Sequence, residues 1–136
     1  MSDDVAVVRA VFEQVEAARR DGTLGTPLDI VAEDFELVPA SEVPGAQRYH
    51  GAAGYAEFLQ GWTEAFETWS HELERVVDAG DGRVVASARQ WGVGRESGVP
   101  VDLHFGIVFE LRDGLLFRVR LYMTPAEAFA AVGLAG

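Results

Sequence analysis

Between Val101 and Leu111 every odd-numbered residue is apolar (Val101, Leu103, Phe105, Ile107, Phe109 and Leu111), while the even positions include Asp102, His104, Gly106 and Glu110. A period of two sustained over that length predicts a strand with one face on a core and the other turned away. The turn Arg112-Asp113-Gly114 follows, and then Leu115, Phe117, Val119, Leu121 and Met123 alternate with Leu116, Arg118, Arg120 and Tyr122. Upstream, Leu73 to Ala79 leads through Gly80-Asp81-Gly82 into Arg83 to Gly92, and a Gly-rich loop from Gly92 to Gly98 leads to Val99. Links this short, carrying Gly with Asp or Ser, join antiparallel neighbours, so the second half predicts a four-strand meander.

The first half has a different period. Val5, Val8, Phe12 and Val15 recur at helical steps, with Val11 and Ala18 widening the stripe. Ser2 suits an N-cap, Asp3 and Asp4 the positive end of the helix, Arg19 and Arg20 the other end, and Gly22 a stop. Thr26-Pro27-Leu28-Asp29 predicts the opening of a short second helix, and Asp34 to Val38 a strand closed by Pro39. Residues 39 to 51 read as a long irregular stretch. Tyr55, Phe58, Leu59, Trp62, Ala65, Phe66 and Trp69 then mark the aromatic face of a third helix. Thr124-Pro125-Ala126-Glu127 has the form of a capping box, and predicts a last short helix ending at Gly133.

Helices followed by a meander predict an α+β domain with its helices on one sheet face. A chain of 136 residues, 49% hydrophobic, fits a single domain over residues 1–136 with a sizeable core. With no cysteine there is no thiolate metal site, disulfide or cysteine nucleophile. The excess of 22 acidic over 11 basic residues, a formal charge of −11, repels phosphate backbones and anionic lipid, which argues against nucleic acid or membrane partners. No signal-like N-terminus or bilayer-length apolar run occurs, and the expected location is cytoplasmic.

The order of elements, with the stretches Tyr49 to Phe58, Asp78 to Val85 and Phe109 to Tyr122, resembles the SnoaL-like branch of the NTF2-like superfamily over nearly the whole chain. That resemblance implies a cone-shaped fold, helices packed on a curved, mainly antiparallel sheet around an apolar pocket. The superfamily hosts isomerases, epoxide hydrolases, cyclases, dehydratases and non-catalytic binders, so fold alone names no reaction. Its carboxylate mechanisms lack their carboxylates here. Val38 stands where ketosteroid-isomerase-like members carry a base and Ile107 near their oxyanion-binding acid; the first helix has no tyrosine. Ala88, Gln90 and Leu121 stand at the Asp-Arg-Asp positions of limonene-epoxide-hydrolase-like members. Leu121 also replaces the acid of SnoaL-like cyclases, and Thr124 the Asp that ends the strand in many relatives.

Strand parity and the resemblance together assign the pocket lining to Val38, Tyr55, Phe58, Trp62, Ala88, Gln90, Leu103, Phe105, Val119, Leu121 and Met123. Each of these also fits an ordinary packed core. Small residues at facing positions (Ala86, Ala88 and Gly92) beside wide aromatics leave space for a ligand, and Gln90 is the polar residue a core explains least. Gln90, His50 and Tyr49 are the candidate catalytic residues, His50 as a neutral base at the pocket mouth or simply a solvated loop histidine. His71, just before Glu72, reads as a surface cap on a strand end. His104 with Asp102, together with Arg89, Trp91, Arg118, Arg120 and Tyr122, makes an outer face with the residue types of an interface, and a homodimer through it is expected; cross-strand pairing within one chain is the plainer reading. No spacing for a metal site, P-loop, dinucleotide fingerprint or nucleophile elbow occurs, and no cofactor is expected. Three functions stay open: an enzyme acting on a small hydrophobic molecule, a binder of such a molecule, and a dimeric interaction domain.

Overall fold

A computed structural model describes residues 4–23, 29–40 and 47–134. Among the described residues it contains helices α1 (Asp4–Asp21), α2 (Gly51–Glu64) and α3 (Pro125–Ala131), with strands β1 (Val31–Val38), β2 (Tyr49–His50), β3 (Phe66–Gly80), β4 (Arg83–Gly94), β5 (Pro100–Arg112) and β6 (Leu115–Tyr122). Ser2 and the expected helix opening at Thr26-Pro27 lie outside these residues.

The strands form one curved sheet in the order β2-β1-β6-β5-β4-β3. β3 to β6 are the antiparallel meander expected from their links, and β1 joins β6 in parallel. The tight turns explain themselves. Gly80, Asp81 and Gly82 all have positive φ, as do Asp113 and Gly114, which favours Gly and, less strongly, Asp.

On the concave face Val8, Val11 and Val15 of α1 and Tyr55 of α2 pack against Phe35 and Leu37 of β1, Val84, Ala86 and Ala88 of β4, and Ile107 and Phe109 of β5. The helix positions and the parities of β4 and β5 are the ones the periodicities predicted; on β1 the inward residues are Phe35 and Leu37 instead of Val38. The third helix departs from the expectation of one covered face. Ala128, Phe129 and Val132 pack on Val85 and Val108, the opposite parity of the same strands, so α3 covers the back of the sheet.

Several boundaries differ from the sequence expectation: Tyr49–His50 forms the short strand β2 within the stretch expected to be irregular, and β3 begins at Phe66, not Leu73. α2 ends at Glu64, so Phe66 and Trp69 belong to β3. Arg95, in the β4–β5 loop, accounts for the stop: its guanidinium donates to the carbonyls of Glu64 and Phe66 at 3.0 and 2.9 Å, and its amide to that of Ala65 at 3.0 Å. These bonds satisfy carbonyls that a continuing helix would have used. β1 begins at Val31, three residues before the expected start.

No helix among the described residues is long and apolar enough to cross a membrane.

Candidate functional site

The concave face does not close completely on the helices. A cavity of about 560 Å³ remains, within the roughly 300–1,000 Å³ usual for small-molecule sites. α1 contributes Val11, Phe12 and Val15, and α2 contributes Tyr55, Phe58, Leu59 and Trp62. The sheet contributes Leu37, Trp69, His71, Gln90, the β5 row Leu103 to Phe109, and Val119, Leu121 and Met123. The aromatics form a continuous strip: Tyr49 meets Phe58 edge-on at 5.5 Å, Phe58 stacks on Trp62 at 6.0 Å, and Trp62 lies 5.7 Å from Phe66. Leu103 and Met123 are 42% and 50% exposed while lining the cavity, and so mark its rim.

Most of the lining expected from parity is brought together: Tyr55, Phe58, Trp62, Gln90, Leu103, Phe105, Val119, Leu121 and Met123 all border the cavity, as does Tyr49. Three residues do not. Val38 lies beside Arg120 in the β1–β6 register while Leu37 lies beside Val119, so Leu37 faces the cavity and Val38 the other side. Ala88 is on the inner face but wholly buried between its register neighbours Leu73 and Phe105. His50 is opposite Glu36, on the side away from the cavity, and is exposed at the N-terminus of α2 with no side-chain capping bond; Tyr49, opposite Leu37, faces inward. Gly92 also has a different cause from the space first ascribed to it. A Cβ there would meet the Thr68 carbonyl oxygen at 2.0 Å, so this glycine lets the irregular start of β3 approach β4.

The polar wall is built by β3 and β4 with α1. Gln90 is 3% exposed, borders the cavity, and its amide nitrogen meets no hydrogen-bond partner among the described residues. The indole nitrogen of Trp69 is likewise enclosed and unpartnered. Directly opposite Gln90 stands His71, a lining residue and not the surface cap expected from sequence. Its Nε2 is 3.3 Å from Glu16 Oε2, and Arg19 grips the same carboxylate with Nε donating at 3.2 Å and Nη2 bonding the second oxygen. The Arg19 bonds hold the Glu16 carboxyl below its usual range, and burial pushes the His71 imidazole down despite the attraction of Glu16. Burial pushes the Tyr55 phenol up. At neutral pH the wall therefore presents a neutral imidazole beside a carboxylate.

Glu16 was invisible to an argument that followed only the apolar stripe of α1. It sits four residues after Phe12 and three before Arg19, the spacing that puts all three on one side of a helix.

The outer face carries its charges in pairs. Arg89 makes a two-pronged bond to Asp102 at 2.9 and 2.8 Å and lies over the Trp91 ring at 4.4 Å. Arg118 and Arg120 both reach Glu110, and His104 Nδ1 is 2.9 Å from Glu74. The anionic neighbours that this basic stripe needs are thus found within its own chain. No cluster of three or more His, Cys, Asp or Glu side chains suited to a metal occurs among the described residues.

Helices packed on a curved, mixed sheet around an apolar chamber, as the described residues show, make up the architecture of NTF2-like proteins. The SnoaL-like domain family matches residues 7–119, and the chain belongs to that family. No curated protein matches it in sequence. Among solved structures it is similar to a putative SnoaL-like polyketide cyclase from Jannaschia sp. CCS1 (22% identity over 88% of this chain and 84% of that one, TM-score 0.74). It is also similar to TerC, crystallised with polyporic acid (19%, 96% and 98%, TM-score 0.70). A third is Rv0760c from Mycobacterium tuberculosis in complex with estradiol-17β-hemisuccinate (15%, 90% and 94%, TM-score 0.69). At these identities the likeness establishes the fold.

Proposed function

We propose that the chamber binds a small hydrophobic molecule, and that the chain is an enzyme of isomerase, cyclase or hydrolase type working with polar residues other than the superfamily's usual carboxylates. The observation that carries this reading is Gln90: an amide buried to 3% exposure on the wall of a largely apolar cavity, with its nitrogen unpaired among the described residues. A buried amide left unsatisfied costs roughly 1–3 kcal/mol, a cost that an occupant with a hydrogen-bond acceptor offsets. The cavity volume and its strip of aromatics suit a flat, ring-built occupant. The ligands crystallised with TerC and Rv0760c favour the same view.

The test uses estradiol-17β-hemisuccinate as probe. A saturable rise in melting temperature and saturable quenching of the tryptophans Trp62 and Trp69 are expected, following mass action. No saturable change with this probe or with a panel of smaller cyclic ketones sinks the reading. A non-catalytic binder is the alternative, distinguished by stabilisation with no product formed.

A second copy of the chain on the outer sheet face belongs to the same reading. Arg89, Trp91, His104, Arg118, Arg120 and Tyr122 form a surface whose charges are largely neutralised in place, so covering it strands few of them. Sedimentation of the parent and of Trp91→Glu tests it: a dimer that becomes a monomer is expected.

A further inference from the structure

His71 sits where three parts of the chamber wall meet. Phe12 of α1 lies edge-on to the imidazole at 5.4 Å and Trp69 at 5.2 Å, and Gln90 is its partner across the β3–β4 ladder. Glu16 approaches Nε2 from α1, restrained by Arg19, and the Arg19 guanidinium lies 5.5 Å over the Trp69 ring. A pair meant for stability would be charged on both sides. Here burial keeps the imidazole neutral near pH 7, so it gains little from the carboxylate beside it. The Glu16 carboxylate beside Nε2 and the two rings packed on the imidazole instead fix its position on the wall, next to the enclosed amide nitrogen of Gln90. This is a neutral imidazole held in place on the wall of a largely apolar chamber.

We propose that His71 is a general base for proton transfer on a carbonyl-bearing occupant, with Glu16 as the residue that positions it and Gln90 as the group that meets the carbonyl oxygen. The proposal rests on the chamber being a small-molecule site. His71 takes a proton from the carbon next to the carbonyl. The C–H electron pair becomes the C=C bond of an enolate while the C=O π pair moves onto oxygen, where the Gln90 amide donates a hydrogen bond. The imidazolium then returns the proton to that carbon, to a carbon further along a conjugated enolate, or to the oxygen. Nothing is oxidised or reduced, and no co-reactant is needed. Arg19, bonded to both oxygens of Glu16, restrains the carboxylate beside the ring.

The experiment uses the full chain with 2-tetralone, a bicyclic ketone, and 2-naphthol, the planar counterpart of its enol. Exchange of the tetralone α-protons with D2O is followed by NMR, and 2-naphthol affinity by tryptophan quenching. The parent is expected to exchange the ketone well above the buffer rate and to bind 2-naphthol saturably. His71→Gln is expected to lower exchange about 100-fold, the lower end for a general base. Glu16→Gln, on a partly exposed helix position, is expected to lower exchange about tenfold while 2-naphthol affinity stays within about twofold, a split that loss of structure would not produce. Binding of 2-naphthol without exchange above buffer overturns the proposal and leaves the chamber reading standing. Absence of saturable 2-naphthol binding overturns both. Exchange in His71→Gln or Glu16→Gln equal to that of the parent overturns the role of that residue, and with His71 the proposal.

Discussion

A Cβ placed on Gly106 would stand 2.4 Å from the Cβ of Ala128, so β5 and α3 touch backbone to side chain with no room between them. The Thr124 carbonyl oxygen, at 2.8 Å from the same point, closes the space from a second direction. Gly106→Ala therefore forces α3 off the back of the sheet and uncovers Val108 and Phe129. A loss of about 1–3 kcal/mol is expected in urea unfolding, the usual range for overpacking, with the chamber on the opposite face still able to take up its probe.

Replacing Gln90 by leucine separates folding from function. The substitution removes the buried amide whose nitrogen meets no partner among the described residues, and stability is expected to rise by about 1 kcal/mol. Probe affinity is expected to fall, because the occupant loses the group that meets its oxygen. Urea unfolding and fluorescence titration check the two halves, and a destabilised variant with unchanged affinity would contradict both.

Filling the chamber is expected to silence it. Leu121 is half-buried and borders the cavity, so Leu121→Phe has empty space to enter. Stability is expected to stay within about 1.5 kcal/mol of the parent while saturable binding of estradiol-17β-hemisuccinate disappears, measured by thermal shift and quenching.

The pH dependence follows from His71 and Glu16. Burial lowers the folded-state His71 pKa below its ordinary 6.5, so the unfolded chain takes up a proton there before the folded chain does. Stability contributed by the neutral ring is present above about pH 6.5 and is lost as pH falls through the lower folded value. Glu16, held below its ordinary 4.5 chiefly by Arg19, adds a second loss in more acid solution, below about pH 4.5, shared with Asp34 and Asp102, which Arg112 and Arg89 hold low. Urea midpoints measured across this range are expected to show both declines in the parent. His71→Gln should keep only the more acid one, and an unchanged first decline would show that another group causes it.

The meander and its inner face were legible because short turns and strict alternation admit few alternatives. Gly80-Asp81-Gly82 and Asp113-Gly114 adopt the backbone that their residue types favour, and the odd residues of β5 from Leu103 to Phe109 all reach the chamber. The boundary between α2 and β3 was not legible. Phe66 and Trp69 continue the aromatic spacing of the helix, and the bonds that stop it come from Arg95, distant in sequence. That one misplaced boundary also hid His71, since the inward row of β3 begins at Trp69.

At β1 the expected phase was one residue off: Phe35 and Leu37, both essentially buried, face inward and Val38 does not. The resemblance drew attention to Val38 because of the proline after it, and register with β6 puts Val38 on the other face. His50 failed for the same reason, one step out of phase with Tyr49. Position along the chain located these residues near the chamber, and only the pairing of strands decided which way each side chain points.

The parallel pairing of β1 with β6 has a kinetic consequence. Among the described residues β1 has the two residues of β2 as its other neighbour, so its long pairing waits until the last strand has been made. A chain emerging from a ribosome must therefore hold its first helix and first strand in waiting while the hairpins of β3, β4 and β5 assemble, and closure of the widest loop comes late and slowly. Its most vulnerable moment is before the final strand arrives, when the apolar residues of β1 have α2 against them but no long strand beside them.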